Sequence, residues 1–110
     1  MKPQNLLFLF SDQHSRKALG CYGHPLVKTP NLDQLAAGGT LFKNAYCNSP
    51  ICVPARGALA TGRYIFETGY WDNAKAYEGS VPSWHHRLNA KGNHCESIGK
   101  LHFRSSEDPT

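Results

Sequence analysis

The chain has 110 residues, enough for one domain with a modest core. Apolar residues make up 40% and charged residues 18%, the balance of an ordinary globular chain rather than a disordered one. No apolar run approaches the length of a membrane span, and the formal charge of +4 suits an anionic ligand without requiring one.

The opening Met1-Lys2-Pro3-Gln4-Asn5 leads into only five apolar residues, Leu6-Leu7-Phe8-Leu9-Phe10, with no small-residue cleavage site after them. That is too short for the apolar core of an export signal, so the expectation is a cytoplasmic chain. Its four cysteines (Cys21, Cys47, Cys52 and Cys95) are then expected as free thiols. The continuous apolar run reads as a strand buried on both faces, as in a parallel α/β sheet, although length alone does not separate it from a short buried helix. Ser11-Asp12-Gln13 closes it. In open α/β sheets ligands gather beyond the carboxyl ends of strands, which is where Asp12 falls; a turn-capping role for Asp12 fits the same position.

Residues 16–30 are punctuated by Gly20, Gly23, Pro25 and Pro30 and read as a loop. Cys21 and His24 have a spacing compatible with two zinc ligands, but no partner pair stands at a standard distance. Thr29-Pro30-Asn31-Leu32-Asp33-Gln34-Leu35-Ala36-Ala37 predicts a helix capped by Thr29, started by Pro30, with Leu32, Leu35 and Ala36 on one face and Gly38-Gly39 as its stop. Residues 40–46 read as a strand. Cys47-Asn48-Ser49-Pro50-Ile51 is an approach loop, stiffened on either side of Cys52 by Pro50 and Pro54.

Cys52-Val53-Pro54-Ala55-Arg56 predicts the start of a helix, with Pro54 tolerated in its first turn and Gly62 able to end it. The Cys52 sulfur then lies at a helix N-terminus, where unpaired N–H groups and the dipole favour negative charge. Arg56, about one turn on, is placed to grip an anionic oxygen. Residues 64–79 are aromatic and polar without a period. Trp71, Asp72 and Asn73 there are candidates to touch a ligand, with aromatic capping of a core the competing reading. Ser83 caps a second helix in which Trp84 and Leu88 lie four apart and which Gly92 stops; His85 and His86 point in different directions on it. Residues 95–99 read as a short strand. In the extended segment that follows, Lys100 and His102 share a face.

Three stretches together resemble one family. Cys52-x-Pro54-x-Arg56 with Leu59-Ala60-Thr61-Gly62-Arg63 resembles the signature of type I sulfatases of the alkaline phosphatase superfamily, with Ala55 where many members carry serine. Asp12-Gln13 and Gly99-Lys100-Leu101-His102-Phe103 resemble the choline-sulfatase and phosphonate monoester hydrolase forms, and Thr29-Pro30-Asn31-Leu32-Asp33 is also typical. The resemblance implies an α/β fold: the N-terminal part of an α/β/α sandwich with a mostly parallel central sheet. It implies that residues 1–110 are the first portion of a longer catalytic domain, inactive alone, whose remaining metal ligands come later. It implies that Cys52 is oxidised to formylglycine by a formylglycine-generating enzyme, and that the hydrated aldehyde is the nucleophile. Asp12 and the group at position 52 then ligate a divalent cation (calcium before magnesium or manganese). Arg56 and Lys100 bind the ester's anionic oxygens, and His102 positions the nucleophile or manages its protons. The substrate is a small anionic ester, with no nucleic acid or membrane partner.

Sulfate esters are the first expectation, with phosphonate monoesters or phosphodiesters as the alternative on the same nucleophile. From another class, a small zinc-bearing nucleic-acid-binding module is motivated by four Cys, six His and the basic charge. A Cys-x5-Arg phosphatase loop is excluded: Ala58 stands six after Cys52 and Val53 six after Cys47. There is no Gly-x4-Gly-Lys-Ser/Thr phosphate loop either.

Overall fold

A computed structural model describes residues 5–103; the polar tail at 104–110 lies outside the described residues. The chain divides into two compact units, Met1–Ala45 and Tyr46–Thr110.

The first unit contains two single-turn 3-10 helices, Arg16–Ala18 and Gly20–Tyr22, and helix α1, Pro30–Gly38. Pro30 starts α1 as expected, but the Thr29 side chain does not cap it. The Thr29 hydroxyl instead donates to Asp33 Oδ1 (2.8 Å) and accepts from the Gly20 N–H (2.9 Å). Asp33 Oδ1 also accepts from the Cys21 N–H at 2.6 Å. One threonine and one aspartate therefore pin the second 3-10 turn to α1. A side chain at position 20 has no room, because its Cβ would lie 2.5 Å from Asp33 Oδ2. None of the described residues of this unit is buried.

The expected strand at residues 6–10 is not formed: the segment has no regular structure and makes no ladder, and Leu6 and Leu7 are 84% and 80% exposed. The segments at 40–46 and 95–99 likewise form no strand. The reason is physical. A strand buried on both faces needs a neighbour on each edge and helices on each face, and parallel neighbours arrive only through crossover connections. The described residues supply the apolar run without those neighbours.

The second unit carries the core. Helix α2 (Cys52–Thr61) is followed by α3 (Ile65–Thr68) and α4 (Trp84–Asn89). Gly62, with φ 70°, ends α2 in the left-handed conformation, and its N–H returns to the Ala58 carbonyl at 2.8 Å. Helix α3 lies in a stretch expected to be irregular. Its signal was present: Glu67 Oε2 accepts from the Tyr64 N–H (2.8 Å), closing a capping box before Gly69. Val53, Ala60, Tyr70 and Tyr77 are buried, with Val81 and Phe103 packed against the aromatic pair. Tyr77 and Phe103 meet edge to face at 4.9 Å and form a parallel bridge, the one β-type pairing among the described residues. Among these residues no helix is long and apolar enough to cross a membrane.

Candidate active site

Helix α2 begins at Cys52, so the half-buried thiol occupies the first helical position. The approach loop is tied down before it. The Cys47 thiol donates to the Ser49 carbonyl, the buried Ser49 hydroxyl accepts from the Ile51 N–H (3.4 Å), and Asn48 Oδ1 accepts from the Ile65 N–H (3.2 Å).

Lys100 meets α2 twice. Its Nζ lies 3.8 Å from Cys52 Sγ, and its carbonyl accepts a hydrogen bond from Arg56 Nη1. Residues 52 and 56 are one turn apart on the same helix face, so one lysine spans that face with its side chain at one end and its backbone at the other. Arg56 is only 7% exposed, so its guanidinium works from inside the fold. Both cations expected from sequence are thus gathered around position 52, in two roles: Lys100 presents the ammonium, and Arg56 holds the backbone segment that carries it.

His102 follows on the same segment, exposed, with φ 57°. That left-handed backbone is uncommon for a residue other than glycine, and it persists where both flanks are held. Here Lys100 is fixed to α2 on one side and Phe103 to Tyr77 on the other. No hydrogen bond joins His102 to Cys52 among the described residues.

The segment 70–77 is the third support. Tyr70, 1% exposed, lays its ring against Gly57 of α2, where an added Cβ would lie 3.3 Å from its Cδ2. One turn nearer Cys52, Asn73 Oδ1 accepts from the Val53 N–H at 3.0 Å. Sequence reasoning placed Asn73 as a candidate ligand contact and missed this bond. The available signal was that Ile51, the residue before the helix, has no side-chain acceptor. Burial raises the Tyr70 hydroxyl above its ordinary range; the Ser80 hydroxyl, 3.1 Å away, opposes that shift and nearby Glu78 adds to it.

Beside this lies a pocket of ≈ 170 Å³ lined in part by His85, His86, Ser97, Leu101 and Phe103; no residue of the nucleophile group faces it. His85 stacks on Trp84 (3.7 Å between centroids) and pairs with the Ser97 hydroxyl at 2.6 Å. Burial first, then the neighbouring His86, lowers its pKa below the ordinary value of 6.5.

Asp12 lies in the first unit, in an exposed turn after the apolar run, followed by Gln13 at φ 58°. Among the described residues no group of three or more His, Cys, Asp or Glu is placed to hold a metal ion. One carboxylate is too few for a hard cation that takes about six or more oxygens. The Cys21–His24 pair does not assemble a site either. His24 Nδ1 is already engaged by the Leu26 and Val27 N–H groups at 3.1 and 2.9 Å.

A half-buried nucleophile-type residue at a helix start, with an ammonium beside it and a buried arginine beneath, is an arrangement for handling an anion. A family model described as Sulfatase matches residues 4–102, and the chain belongs to the sulfatase family. It is similar to an N-acetylglucosamine-6-O-sulfatase of Bacteroides thetaiotaomicron, 35% identical over 94% of this chain and 19% of the relative. It is also similar to human arylsulfatase A, 47% identical over 64% of this chain and 14% of the relative, and to a choline-sulfatase of Rhizobium meliloti, 34% identical over 90% and 19%. The chain therefore spans about a fifth or less of the length of these relatives. No solved structure gives a significant match. Among the described residues the family's α/β fold is represented by helices and a single bridge.

Proposed function

We propose that the protein hydrolyses sulfate esters as the N-terminal part of a longer sulfatase, with the nucleophile supplied at position 52. The observation that carries this is the convergence of Lys100 Nζ on Cys52 Sγ at 3.8 Å, on the face that Arg56 anchors. In the complete protein residues 1–110 belong to an α/β/α sandwich, with residues 6–10 as an inner strand of its parallel sheet. Asp12 supplies one oxygen ligand to a divalent cation, calcium before magnesium or manganese, whose other ligands come from elsewhere in that protein.

Cys52 is the precursor of formylglycine. Once converted by its maturation enzyme, position 52 supplies a geminal diol, one hydroxyl to attack the ester and one to release the sulfate. This chain's own residues do the rest. The Lys100 ammonium stabilises negative charge on the attacking oxygen and on the transferring group. Arg56 keeps that ammonium in place through the Lys100 carbonyl and adds positive potential from below. His102, held in its left-handed turn, exchanges protons at the leaving or releasing oxygen.

Phosphonate monoesters and phosphodiesters remain the parallel substrate class, because the Asp12-Gln13 and Gly99-Lys100-Leu101-His102 forms are shared by both groups and do not separate them. The test has two parts. Tandem mass spectrometry of the tryptic peptide 44–56, from full-length protein made alongside a formylglycine-generating enzyme, is expected to place the aldehyde at residue 52 and leave Cys47 a thiol. Paired aryl sulfate and aryl phosphonate assays are expected to favour the sulfate. An unmodified Cys52, with a control protein converted in the same cells, would remove the nucleophile and refute the proposal.

A further inference from the structure

The first turn of α2 has an unusual distribution of donors. Ile51 caps it with backbone alone; its carbonyl accepts from the Ala55 N–H at 3.0 Å and its side chain offers no acceptor. Pro54 has no N–H. Two backbone donors remain, those of Cys52 and Val53. The Val53 N–H goes to Asn73 Oδ1, twenty residues along the chain.

We propose that Asn73 is a positioning residue for the reaction at residue 52, acting through the backbone of Val53; this rests on the sulfatase reading of the preceding section. The peptide unit that contains the Val53 N–H also contains the Cys52 Cα, and it is planar. Fixing that N–H fixes the plane and the Cα from which the nucleophile projects. Val53 itself is 3% exposed, so the same plane is held on its far side by packing.

Asn73 arrives on a supported segment. Asp72 Oδ1 accepts from the Ala74 N–H at 2.8 Å, closing a turn around Asn73, and Tyr70 is seated against Gly57. Positions 53 and 57 lie one turn apart, so the segment holds α2 at two points on one face. An amide suits the place: it provides the acceptor of a helix cap without setting a carboxylate beside an anion-handling site.

The test uses full-length protein and two variants, Asn73→Ala and Asn73→Asp, with aldehyde content at residue 52 measured in each. Residue-resolved hydrogen exchange reads the cap directly. The Val53 amide is expected to exchange at least ~10-fold faster in Asn73→Ala, while amides of α4 are unchanged, and to return to the slow rate in Asn73→Asp. In turnover of an aryl sulfate, Asn73→Ala is expected to lower kcat by ~10–100-fold with KM within about twofold, as for a displaced nucleophile. Asn73→Asp is expected to recover most of kcat and to raise KM by charge repulsion. An unchanged Val53 exchange rate, or unchanged kcat, in Asn73→Ala would overturn the proposal. So would an Asn73→Asp protein with a protected Val53 amide and a kcat as low as that of Asn73→Ala, since the amide would then be acting on the reacting atoms themselves. If the wild-type protein turns over no sulfate ester, the functional reading fails and takes the catalytic role with it; the exchange experiment still decides whether Asn73 is the cap.

Discussion

Replacing Gly57 by alanine sets two effects of similar size against each other. In a helix interior alanine is better than glycine by ~1 kcal/mol, so on propensity alone the variant is more stable. The new Cβ, however, would lie 3.3 Å from Tyr70 Cδ2, with Tyr70 Cγ and Cβ at 3.8 and 3.9 Å. The last two are ordinary contacts; the first requires the ring to yield by a few tenths of an ångström. Tyr70 has little freedom to do so. It is 1% exposed, meets Tyr77 edge-on at 5.6 Å, and its hydroxyl lies 3.1 Å from Ser80 Oγ. Overpacking of this kind costs ~1–3 kcal/mol, so Gly57→Ala is expected to be neutral to destabilising by up to ~2 kcal/mol. In a Tyr70→Ala background the obstruction is gone, and the same substitution is expected to stabilise by ~1 kcal/mol. Urea unfolding midpoints of the four full-length proteins measure this cycle. A stabilising Gly57→Ala in the wild-type background would refute the claim that Tyr70 sits immovably on α2.

Three further outcomes are expected. Lys100→Met should reduce kcat for an aryl sulfate by ~100-fold or more while leaving aldehyde formation at residue 52 intact, checked by mass spectrometry and steady-state kinetics. Ser83→Ala should destabilise by ~1 kcal/mol in the same urea assay, because the Ser83 hydroxyl caps α4 by accepting from the His86 N–H and also lies 2.7 Å from His86 Nδ1. His85, with its pKa lowered by burial, is neutral when folded and binds a proton more readily when unfolded. Its contribution to stability is therefore complete above about pH 6.5 and declines as pH falls through the lowered folded value. Thermal midpoints between pH 8 and 5 should fall less steeply for His85→Gln than for wild type, and parallel curves would show that His85 contributes nothing.

The elements set by local chemistry were legible in the sequence. Pro30 and the glycines after Ala37 bounded α1, Pro54 and Gly62 bounded α2, and Ser83 marked the start of α4. That Lys100 lies beside Cys52 was legible only through the family's motifs. Nothing in the spacing of Cys52 and Lys100 alone puts a side chain 48 positions away within 3.8 Å. What could not be read was anything that depends on distant packing. The apolar run at 6–10 has the composition of an inner strand, but composition does not provide edges to pair with. The sequence places Arg56 to grip an anionic oxygen; its burial and its bond to the Lys100 carbonyl follow from tertiary structure alone. The neighbours of Thr29 fit a helix cap; Asp33, one turn on, claims its hydroxyl instead.

The burial of the Cys52-x-Pro54-x-Arg56 stretch also sets a timetable. Pro54 is among the most deeply buried side chains of the described residues and Arg56 is 7% exposed, so two of the three residues that define the pattern are hidden once α2 has packed. An enzyme that selects Cys52 by those neighbours has to read them on an extended chain, before this helix closes. If Cys52 is converted as proposed, maturation and folding compete in time, and a substitution that merely speeds the packing of α2 leaves behind a well-folded protein that carries a thiol at residue 52.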